Sequence, residues 1–552
     1  MTDAPHVLVL GGGFVAYKTV RGLRGAIKRG DVRVTVVTRD NALVAHGLIA
    51  EMVTGRILPS TVLNPGRRVF APAALHVAEI ESIDVRARKV VTSRHLDGAR
   101  FELDYDRAVI AVGSGENLDA YPGLAEHAFR LKSFHDCFRL KNHVIEMLEL
   151  ADIETDPDER RRLLTFFVAG GGFSGTELAG ELADLLRRLT KREYRGIRRD
   201  ECRVLVVHPG PTLLPELYGS KNAERPERSY PRLVEYAMNH ARKLGVELML
   251  ETKVVGVTPT DVYLSNGENV PTRTIVSAVG SKAWPLLDQI PVPRDARGRL
   301  ITDEFLRVDG RDDLWAGGDC AAVPHPKGGT CPPVALFALG HGQSLGGNLR
   351  RALAGKPLKR FHSDVLGQGI SIGNRTAVGA LKGIPLRGKI AWISWRSIIW
   401  ARGMPTWDRR LRLLADWTIW PFVGRDIVQT GPSQITAFDV RHHVYLPGET
   451  IADSSRPVRL VHVIVEGSVE VVGSDDGAVL ETIGPGDHLG RKWLERRRAT
   501  LARASSLVRT VALQEDQANE LQDVLLSTER IVARTELTKA VDLDALRRST
   551  GE

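Results

Sequence analysis

The sequence has few cysteines and no long apolar run. Its 552 residues contain four cysteines, Cys137, Cys202, Cys320 and Cys331, which lie far apart. None of their spacings matches a CxxC pair or a zinc-ligand pattern, so we expect reduced thiols and no metal. A membrane-spanning helix needs about 18 or more consecutive apolar residues, and no such run occurs. The sequence therefore does not predict a disulfide framework, a metalloprotein or a membrane-spanning protein.

A leader segment and a nucleic-acid signature are also missing. Residues 1–5 lead directly into the first apolar run, which leaves no room for the charged and apolar regions of a secretory signal. The formal net charge is +9, but the arginines are spread over the chain and do not form one stripe with interleaved aromatic residues. We therefore expect a cytoplasmic location and no nucleic-acid partner. The positive charge suits anionic cofactors or an anionic membrane surface.

Two glycine-rich turns are the most informative features that are present. One reads GGGFVA from Gly11 to Ala16, and the other reads GGGFSG from Gly170 to Gly175. Each follows a short apolar run and opens a helical pattern, which is the context of a dinucleotide-binding fingerprint. The first glycine permits a tight turn, the second lets the backbone approach a pyrophosphate, and the third small residue lets helix and strand pack closely. The sequence therefore predicts two dinucleotide sites in one chain.

Two later segments complete the pattern of a flavoprotein. An apolar run ends at Gly113, and a WAGGDC segment runs from Trp315 to Cys320. We expect both to return the chain to the first dinucleotide, with Asp319 facing the flavin, although an aspartate also suits a helix N-cap. Disulfide reductases with two dinucleotide sites need a redox cysteine pair soon after the first fingerprint, and the first cysteine here is Cys137. The order of segments predicts a flavoprotein that takes hydride from a nicotinamide and is not a disulfide reductase.

The predicted fold class is α/β. With 552 residues, of which 43% are hydrophobic, the chain is long enough for about three domains. We expect two Rossmann-like dinucleotide-binding domains, then amphipathic helices, then a C-terminal antiparallel β-barrel module. The predicted boundaries are 1–162 for the first part of the FAD-binding domain, 163–282 for the NAD(P)H-binding domain, 283–384 for the second part of the FAD-binding domain with the acceptor-site region, 385–430 for the helical segment and 431–552 for the β-module.

Residues 385–430 differ in composition from the rest of the chain. Six of the nine tryptophans lie there, interleaved with basic residues; they are Trp392, Trp395, Trp400, Trp407, Trp417 and Trp420. Tryptophan and arginine together favour the membrane–water interface, and amphipathic helices of this kind lie on a bilayer instead of crossing it. The alternative is that the same aromatic residues pack onto the protein's own core or onto a dimer partner. We expect association with a membrane surface.

Beyond Gly431 the sequence changes to short alternating segments and glycine turns. The candidate strands are 441–446, 458–466, 468–472 and 479–483. Alternation with turns at this spacing favours a small antiparallel β-module. A helical pattern follows at 516–534.

Residues 5 to about 428 resemble the type II, non-proton-pumping NADH dehydrogenases, which are single-subunit FAD enzymes of the two-dinucleotide superfamily that pass electrons from NADH to quinone. The matching pieces are GGGFSGTELAGE from Gly170, WAGGDCAAVP from Trp315, GKPLKRF from Gly355 and GRDIVQ from Gly424. The resemblance implies bound FAD, NADH as the electron donor, quinone as the acceptor, a homodimer, and attachment to the inner face of the cell membrane.

The same resemblance implies roles for individual residues. It assigns to FAD the residues Gly11, Gly13, Ala16, Thr38, Arg39, Gly113, Gly318 and Asp319. It assigns to the nicotinamide cofactor the residues Gly170, Gly172, Gly175, His208 and Gly280. Glu177 matches a catalytic glutamate that assists proton movement near the nicotinamide and the quinone. The alternative for Glu177 is a first-turn carboxylate that stabilises its helix through the helix dipole.

Two positions depart from the family pattern at the riboses. Thr38 stands where an acidic residue usually binds the flavin-side ribose, and Asp40 is a candidate substitute. His208 stands in the corresponding place for the nicotinamide cofactor. Without a carboxylate there, a 2′-phosphate is repelled less strongly, so NADPH is not excluded beside NADH.

The acceptor motif departs further. The family's quinone motif AQxAxQ aligns with Ala335, Leu336, Ala338 and Gly340, which keeps both alanines and loses both glutamines. The residue types that would hydrogen-bond quinone oxygens are therefore absent from the motif. His341 is a candidate replacement donor, although a single histidine is more often structural.

The C-terminal module resembles a cyclic-nucleotide-binding β-barrel, with GPGDHLG from Gly484 near its phosphate cassette. Arg491 stands where that family has its ribose-binding glutamate, and Arg497 or Arg498 is the candidate phosphate arginine. A buried ribose hydroxyl would then lack its acceptor. We therefore expect a structural or interaction module.

Two functions are compatible with these patterns. The first is an FAD-dependent NAD(P)H oxidoreductase that passes electrons from NADH to membrane quinone or another acceptor. The second is a redox or nucleotide sensor, or an assembly protein, on the same scaffold with little quinone turnover.

Overall fold

The described part of the chain covers most of the sequence in a computed structural model. It comprises residues 4–218, 230–326, 328–362, 367–429, 441–454, 460–473, 478–490, 493–494, 497 and 499–514. The predicted helix at 516–534 and the candidate ligands Arg491 and Arg498 lie outside these residues. Within them the predicted fold class, with parallel sheets followed by C-terminal antiparallel sheets, is confirmed.

The first glycine turn leads out of a five-stranded parallel sheet. In spatial order its strands are Leu314–Ala316, Arg107–Ile110, His6–Leu10, Arg33–Thr38 and Ala74–Val77. The central strand is fully buried from Val7 to Leu10, and the core around it includes residues of the helix Phe14–Arg29 and of the strands Glu79–Asp84 and Lys89–Ser93. The first fingerprint helix, Phe14–Arg29, packs against the helix Ala335–Leu353. A separate antiparallel sheet of this region comprises Glu79–Asp84, Lys89–Ser93 and Arg100–Asp104.

The second glycine turn leads out of a four-stranded parallel sheet. Its strands, in spatial order, are Val246–Leu250, Arg203–His208, Thr165–Ala169 and Thr274–Ser277. The second fingerprint helix, Phe173–Arg192, follows the turn and is buried along most of its length. A small antiparallel sheet belongs to the same region and comprises Val254–Val257, Asp261–Leu264 and Asn269–Pro271.

The chain passes from the first sheet to the second and back again, and a pair of short strands joins these two connecting segments. Gly115–Glu116 pairs antiparallel with Ser281–Lys282. The chain therefore leaves the first sheet and returns to it at the same place. Leu314–Ala316 can then add a fifth strand to the first sheet beside Arg107–Ile110.

Residues 367–423 form an antiparallel sheet and two helices. The sheet comprises Gly367–Ser371, Ala377–Leu381 and Ile384–Arg387. The surface helices are Gly388–Ile398, which continues as a π-helical turn at Ile399–Gly403, and Trp407–Val423. Among the residues that the structure describes, no helix has both the length and the apolar character needed to cross a bilayer.

The inner face of the surface helices packs onto the protein's own core. Leu413 is fully buried, and Trp395, Trp400 and Trp417 pack partly buried against the core around the second fingerprint helix. Arg396 forms a buried ion pair with Glu51. The indole Nε1 of Trp417 donates to Glu51 Oε2 at 3.2 Å. For this face of residues 385–430, the aromatic residues therefore pack onto the protein's own core, which was the alternative to membrane association.

The described C-terminal strands form two four-stranded antiparallel sheets. One comprises Arg441–Tyr445, Val508–Gln514, Leu460–Glu466 and His488–Gly490, and the other Thr450–Asp453, Ala499–Ala504, Val469–Gly473 and Val479–Ile483. The module contacts the short helix Leu124–His127, because the Val444 N–H donates to His127 Nε2 at 2.9 Å and Arg509 pairs with Glu126. The guanidinium of Arg497 lies over the Trp493 ring and pairs with Glu481.

The remaining elements are short strands and turns and a further set of helices, of which Phe134–Ile153 contributes to the core. The strands Ala42–Val44 and Leu63–Pro65 pair with each other, as do Leu300–Ile301 and Ala321–Ala322. The other α-helices are Ile49–Val53, Pro59–Val62, Gly66–Val69, Leu124–His127, Phe134–Ile153, Pro157–Leu163, Pro215–Tyr218 and Pro231–Leu244. Short 3-10 turns occupy His46–Leu48, Leu118–Ala120, Arg199–Glu201 and Pro285–Gln289.

Candidate functional site

Both glycine turns line one continuous cavity of about 1210 Å³. The predicted site residues in its wall are Gly11, Gly13, Thr38, Arg39, Gly113, Gly172, Gly175, Glu177, Gly280, Gly318, Asp319, Ala335, Leu336 and Ala338. The other four predicted site residues are not part of this wall; they are Ala16, Gly170, His208 and Gly340. The cavity therefore brings together residues from three distant parts of the chain.

The first glycine turn is shaped for close approach of a ligand. Gly11 has a φ of +116°, and a Cβ there would lie 2.2 Å from the Ala111 carbonyl oxygen. A Cβ on Gly13 would meet no protein atom within 4 Å, so the backbone borders open cavity space. The first fingerprint helix begins without a side-chain cap and without an acidic residue in its first turn. Its free N–H groups and positive dipole end fit the pyrophosphate of FAD.

The second glycine turn repeats this geometry with one difference. Gly170 has a φ of +114°, and a Cβ there would lie 2.2 Å from the Ala278 carbonyl oxygen. At the helix N-terminus, the Phe173 N–H donates to Glu216 Oε1 at 3.2 Å. No motif pointed to Glu216, which reaches this turn from the separate helix Pro215–Tyr218.

Two neutral histidines hold backbone N–H groups next to the cavity. His208 Nδ1 accepts from the Gly171 N–H at 3.2 Å, and His341 Nδ1 accepts from the Gly318 N–H at 3.1 Å. Burial lowers the pKa of both rings, and that of His341 to about 3. His341 is only 1% exposed and lies behind the cavity wall. His341 therefore has the structural role that is more common for a single histidine, since its ring supports the Gly318 backbone.

Asp319 faces the cavity from the first dinucleotide region. Ser114 Oγ donates to Asp319 Oδ2 at 3.2 Å, and Lys132 Nζ lies 3.8 Å from the same oxygen. The next element is the strand Ala321–Ala322, so the alternative of a helix N-cap is wrong. His46 lies in the same wall. His46 carried no signal in the sequence.

Thr38 and Arg39 line the cavity at the end of the strand Arg33–Thr38. The Arg39 guanidinium lies 5.5 Å from the centre of the Trp284 ring, and its Nε lies 3.8 Å from Glu79 Oε2. Asp40 lies in the same wall. Polar groups are therefore present where the flavin-side ribose is expected.

Glu177 faces the cavity from the second turn of the second fingerprint helix. That helix begins at Phe173 and has no acidic residue in its first turn, so the alternative of a first-turn dipole partner is wrong. Burial and the charge of Glu181 raise the pKa of Glu177 to about 8, although a hydrogen bond from the Ser371 N–H opposes this. Glu177 is therefore a carboxyl group that is mostly protonated at neutral pH and lies in the cavity wall.

The predicted acceptor motif contributes apolar residues to the cavity wall, and a hydrogen-bonding side chain reaches the same cavity from elsewhere. Ala335, Leu336 and Ala338 line the cavity at the start of the helix Ala335–Leu353, whereas a Cβ on Gly340 would face the Phe361 ring at 3.6 Å. Gln368 lines the same cavity, and its Nε2 donates to the Glu216 carbonyl oxygen at 3.3 Å. An amide therefore reaches the cavity from a strand that no sequence motif singled out.

The fold and the cavity define a protein with two dinucleotide sites. The sequence model of the family described as pyridine nucleotide-disulphide oxidoreductase matches residues 5–333, and the chain belongs to this family. The predicted superfamily is confirmed.

Particular relatives share most of the chain. Type II NADH:quinone oxidoreductase of Staphylococcus aureus is 26% identical over 395 residues, which is 70% of this chain and 92% of the relative. The protein of the same description from Mycobacterium tuberculosis is 26% identical over 431 residues, which is 75% of this chain and 87% of the relative. The solved structure of NDH2 from Plasmodium falciparum in complex with NADH matches with a TM-score of 0.68, 16% identity, and coverage of 77% of this chain and 99% of the other. This last likeness shows the fold.

Proposed function

We propose that this protein is an FAD-dependent NADH dehydrogenase that passes electrons to quinone. The observation that carries the proposal is that both glycine turns, Glu177 and the start of the helix Ala335–Leu353 line one cavity. A flavin held on the first turn is then in reach of a nicotinamide on one side and an electron acceptor on the other. The relatives described as type II NADH:quinone oxidoreductases support this assignment.

The residues of the first turn would hold FAD, and those of the second would hold NADH. Gly11, Gly13 and the N-terminus of the first fingerprint helix suit the FAD pyrophosphate, and Asp319 suits the polar chain that links it to the flavin ring. When bound, FAD would accept hydride from NADH and supply two electrons to the acceptor. Gly170 to Gly175 suit the NADH pyrophosphate, provided that the Glu216 carboxylate moves away from the Phe173 N–H.

Proton supply is the task that we assign to Glu177. Reduction of a quinone to a quinol takes two electrons and two protons, whereas the hydride of NADH brings two electrons and one proton. Glu177 lies in the cavity wall, and its raised pKa keeps a proton on it at neutral pH. The Gln368 amide is the proposed hydrogen-bond donor to a quinone oxygen, in place of the two glutamines that the motif has lost.

The first test is anaerobic stopped-flow absorbance of the purified protein. Mixing with NADH is expected to bleach the flavin band, and a short-chain quinone is expected to restore it within the same turnover. A parallel experiment with NADPH tests nucleotide choice, because the strand Arg203–His208 ends in a neutral histidine without a carboxylate to repel a 2′-phosphate. Bleaching without quinone-driven recovery would contradict the quinone assignment and favour the sensor alternative. Absence of a flavin spectrum would contradict the whole proposal.

The outer face of the surface helices suits a membrane surface. Trp407, Leu411, Leu414 and Phe422 follow one another at helical spacing along Trp407–Val423, and they are 66%, 61%, 39% and 87% exposed. Ile390 and Ile393 on Gly388–Ile398, and Ile419 and Val423, are also exposed. Arg387, Lys389, Arg402 and Arg412 expose positive charge on the same segment. We propose that this face binds the headgroup region of an anionic bilayer.

A double variant of this face is expected to lose vesicle binding. Burying a leucine or phenylalanine side chain contributes about 1.5–3 kcal/mol, so Leu411→Glu with Phe422→Glu is expected to weaken binding to vesicles that contain phosphatidylglycerol by about tenfold or more. Co-sedimentation with the vesicles measures the effect. Leu96→Glu is the matched control, because Leu96 is 89% exposed on a different part of the fold. Unchanged binding of the double variant would contradict the membrane proposal.

The domain division of the sequence, 1–162, 163–282, 283–384, 385–430 and 431–552, is part of the same proposal. The first parallel sheet supports it, since it takes strands from both sides of residues 163–282. The homodimer and the location at the inner face of the cell membrane stay predictions. The C-terminal module is proposed to have a structural or interaction role.

A further inference from the structure

Four charged side chains are buried together beneath Glu177. Glu181 and Asp184 lie on the second fingerprint helix, and both side chains are fully buried. Arg56 Nη2 lies 3.0 Å from Glu181 Oε2 and 2.9 Å from Asp184 Oδ2. Arg425 Nη2 lies 2.6 Å from Asp184 Oδ2 and 3.5 Å from Glu181 Oε2. We call these four residues the buried quartet.

The quartet is joined to the cavity through Glu181. Glu177 and Glu181 are four residues apart, so their side chains share one face of the helix. The strand Gly367–Ser371 links the two carboxylates, because the Ser371 N–H donates to Glu177 while Ser371 Oγ donates to Glu181 Oε1 at 3.4 Å. Glu181 therefore lies between the cavity-lining glutamate and the two arginines.

Two positive and two negative charges make the quartet neutral as a whole. The positive charges of Arg425 and Arg56 hold the pKa of Asp184 well below its usual range, although burial opposes this. Burial lowers the pKa of Arg425 to about 10, which leaves its guanidinium charged at neutral pH. Loss of one member would change the charge next to Glu177 by one unit in a place that water screens poorly.

The other charged groups around this helix are already engaged. Arg187 and Arg188 reach Asp184 from the surface, where their side chains are 45% and 38% exposed. From the helix Pro231–Leu244, His240 also faces Asp184, and burial lowers its pKa so that the ring is neutral near pH 7. From the helix Ile49–Val53, Glu51 is paired with Arg396. Within the described residues, Glu181 is the charged group that acts on Glu177.

We propose that Glu181 and Arg425 are positioning residues of the reaction: they set the negative charge that faces Glu177 and thereby the pH range in which Glu177 carries its proton. Arg425 reaches this position directly after the surface helix Trp407–Val423, and its Nη1 donates to the Thr54 carbonyl oxygen at 3.0 Å. The inference rests on the proposed role of Glu177 as a proton donor to quinone.

A purely structural role is a weak explanation for the buried quartet. Burying charges costs several kcal/mol per ion, and replacing a buried ion pair by well-packed apolar residues is often neutral or stabilising. Stability alone therefore does not account for four charges at this depth. A set of charges that sets the pH range in which a neighbouring carboxyl group holds its proton does account for them.

The inference is tested with two variants that are expected to shift the pKa of Glu177 in opposite directions. Glu181→Gln removes the like charge, so Glu177 is expected to lose its proton at a pH about one unit lower. Arg425→Gln leaves the Glu181 charge less compensated, so Glu177 is expected to keep its proton to a pH about one unit higher. The infrared carbonyl band of the protonated Glu177 carboxyl, identified by its absence in Glu177→Gln, is titrated in the resting protein. The pH dependence of quinone-driven flavin recovery is measured in parallel and is expected to shift in the same directions.

Two further variants separate charge from fold. Arg425→Lys keeps the charge and is expected to restore the original midpoint. Arg187→Gln removes a contact of Asp184 but none of Glu181, and its midpoint is expected to stay unchanged. Unmoved midpoints in Glu181→Gln and in Arg425→Gln, or shifts of the same sign, would overturn the inference. If Arg425→Gln does not fold, the sign of the Glu181→Gln shift decides alone. Failure of the proposed function is distinguishable, because quinone would then not restore the flavin band at any pH.

Discussion

Gly11→Ala is expected to yield a folded protein that is purified with little or no FAD. Gly11 has a φ of +116°, where a residue with a Cβ is strained, and that Cβ would lie 2.2 Å from a backbone oxygen that cannot move aside cheaply. Strain of this kind costs about 1–3 kcal/mol. Each 1.4 kcal/mol is about a tenfold loss of affinity. The turn must therefore shift away from the pyrophosphate, and the ratio of flavin absorbance to protein absorbance measures the result.

Gly25→Ala is the matched control for this variant. Gly25 is an exposed residue of the same fingerprint helix, and a Cβ there would meet only the end of the Arg29 side chain at 3.4 Å. Its flavin content is expected to stay at the level of the unaltered protein. A Gly11→Ala protein with a full complement of FAD would refute the assignment of the first turn.

Gly170→Ala is expected to weaken the binding of NADH without affecting the binding of FAD. The φ of +114° and the 2.2 Å approach to the Ala278 carbonyl oxygen impose the same strain on the second turn. The first turn is untouched, so FAD is expected to remain bound. NADH is expected to bind roughly 10- to 100-fold more weakly. Stopped-flow bleaching of the flavin at increasing NADH concentration measures the change.

Dithionite is the control reagent for Gly170→Ala, because it reduces the flavin without using the nicotinamide site. Normal reduction by dithionite together with slow reduction by NADH is the expected pattern. The pattern is the reverse of that for Gly11→Ala, in which no flavin is present to be reduced. Loss of FAD from Gly170→Ala, or unaltered reduction by NADH, would contradict the roles given to the two turns.

The parts of the site that rest on local geometry could be predicted from the sequence. A tight turn between a buried strand and a helix requires glycine at fixed positions. Gly11 and Gly170 could therefore be recognised from the sequence. The WAGGDC segment likewise pointed to Asp319, which lines the cavity. The antiparallel C-terminal module followed from the alternation of apolar and polar residues.

The parts that rest on distant partners could not be predicted. Arg56 and Asp184 meet at 2.9 Å although 128 residues separate them. No sequence pattern distinguishes these buried charged residues from solvent-exposed ones. Ion pairs between distant parts of the chain do not produce a periodic pattern in the local sequence. The same reason explains why the sequence did not reveal which face of the segment 385–430 packs onto the core, where Arg396 pairs with Glu51. His341 lies beside the acceptor motif, and its ring holds the Gly318 backbone, in the structural role that is more common for a single histidine.

The strand Leu314–Ala316 has a consequence for synthesis of the protein. It closes one side of Arg107–Ile110 in the first sheet, yet it leaves the ribosome only after the entire second sheet has been made. Until then the nascent chain carries an open sheet edge, which is a template for pairing with other chains. The second sheet is complete in sequence by Ser277 and can fold while translation continues. A pause or truncation between residues 277 and 316 would therefore release an aggregation-prone intermediate.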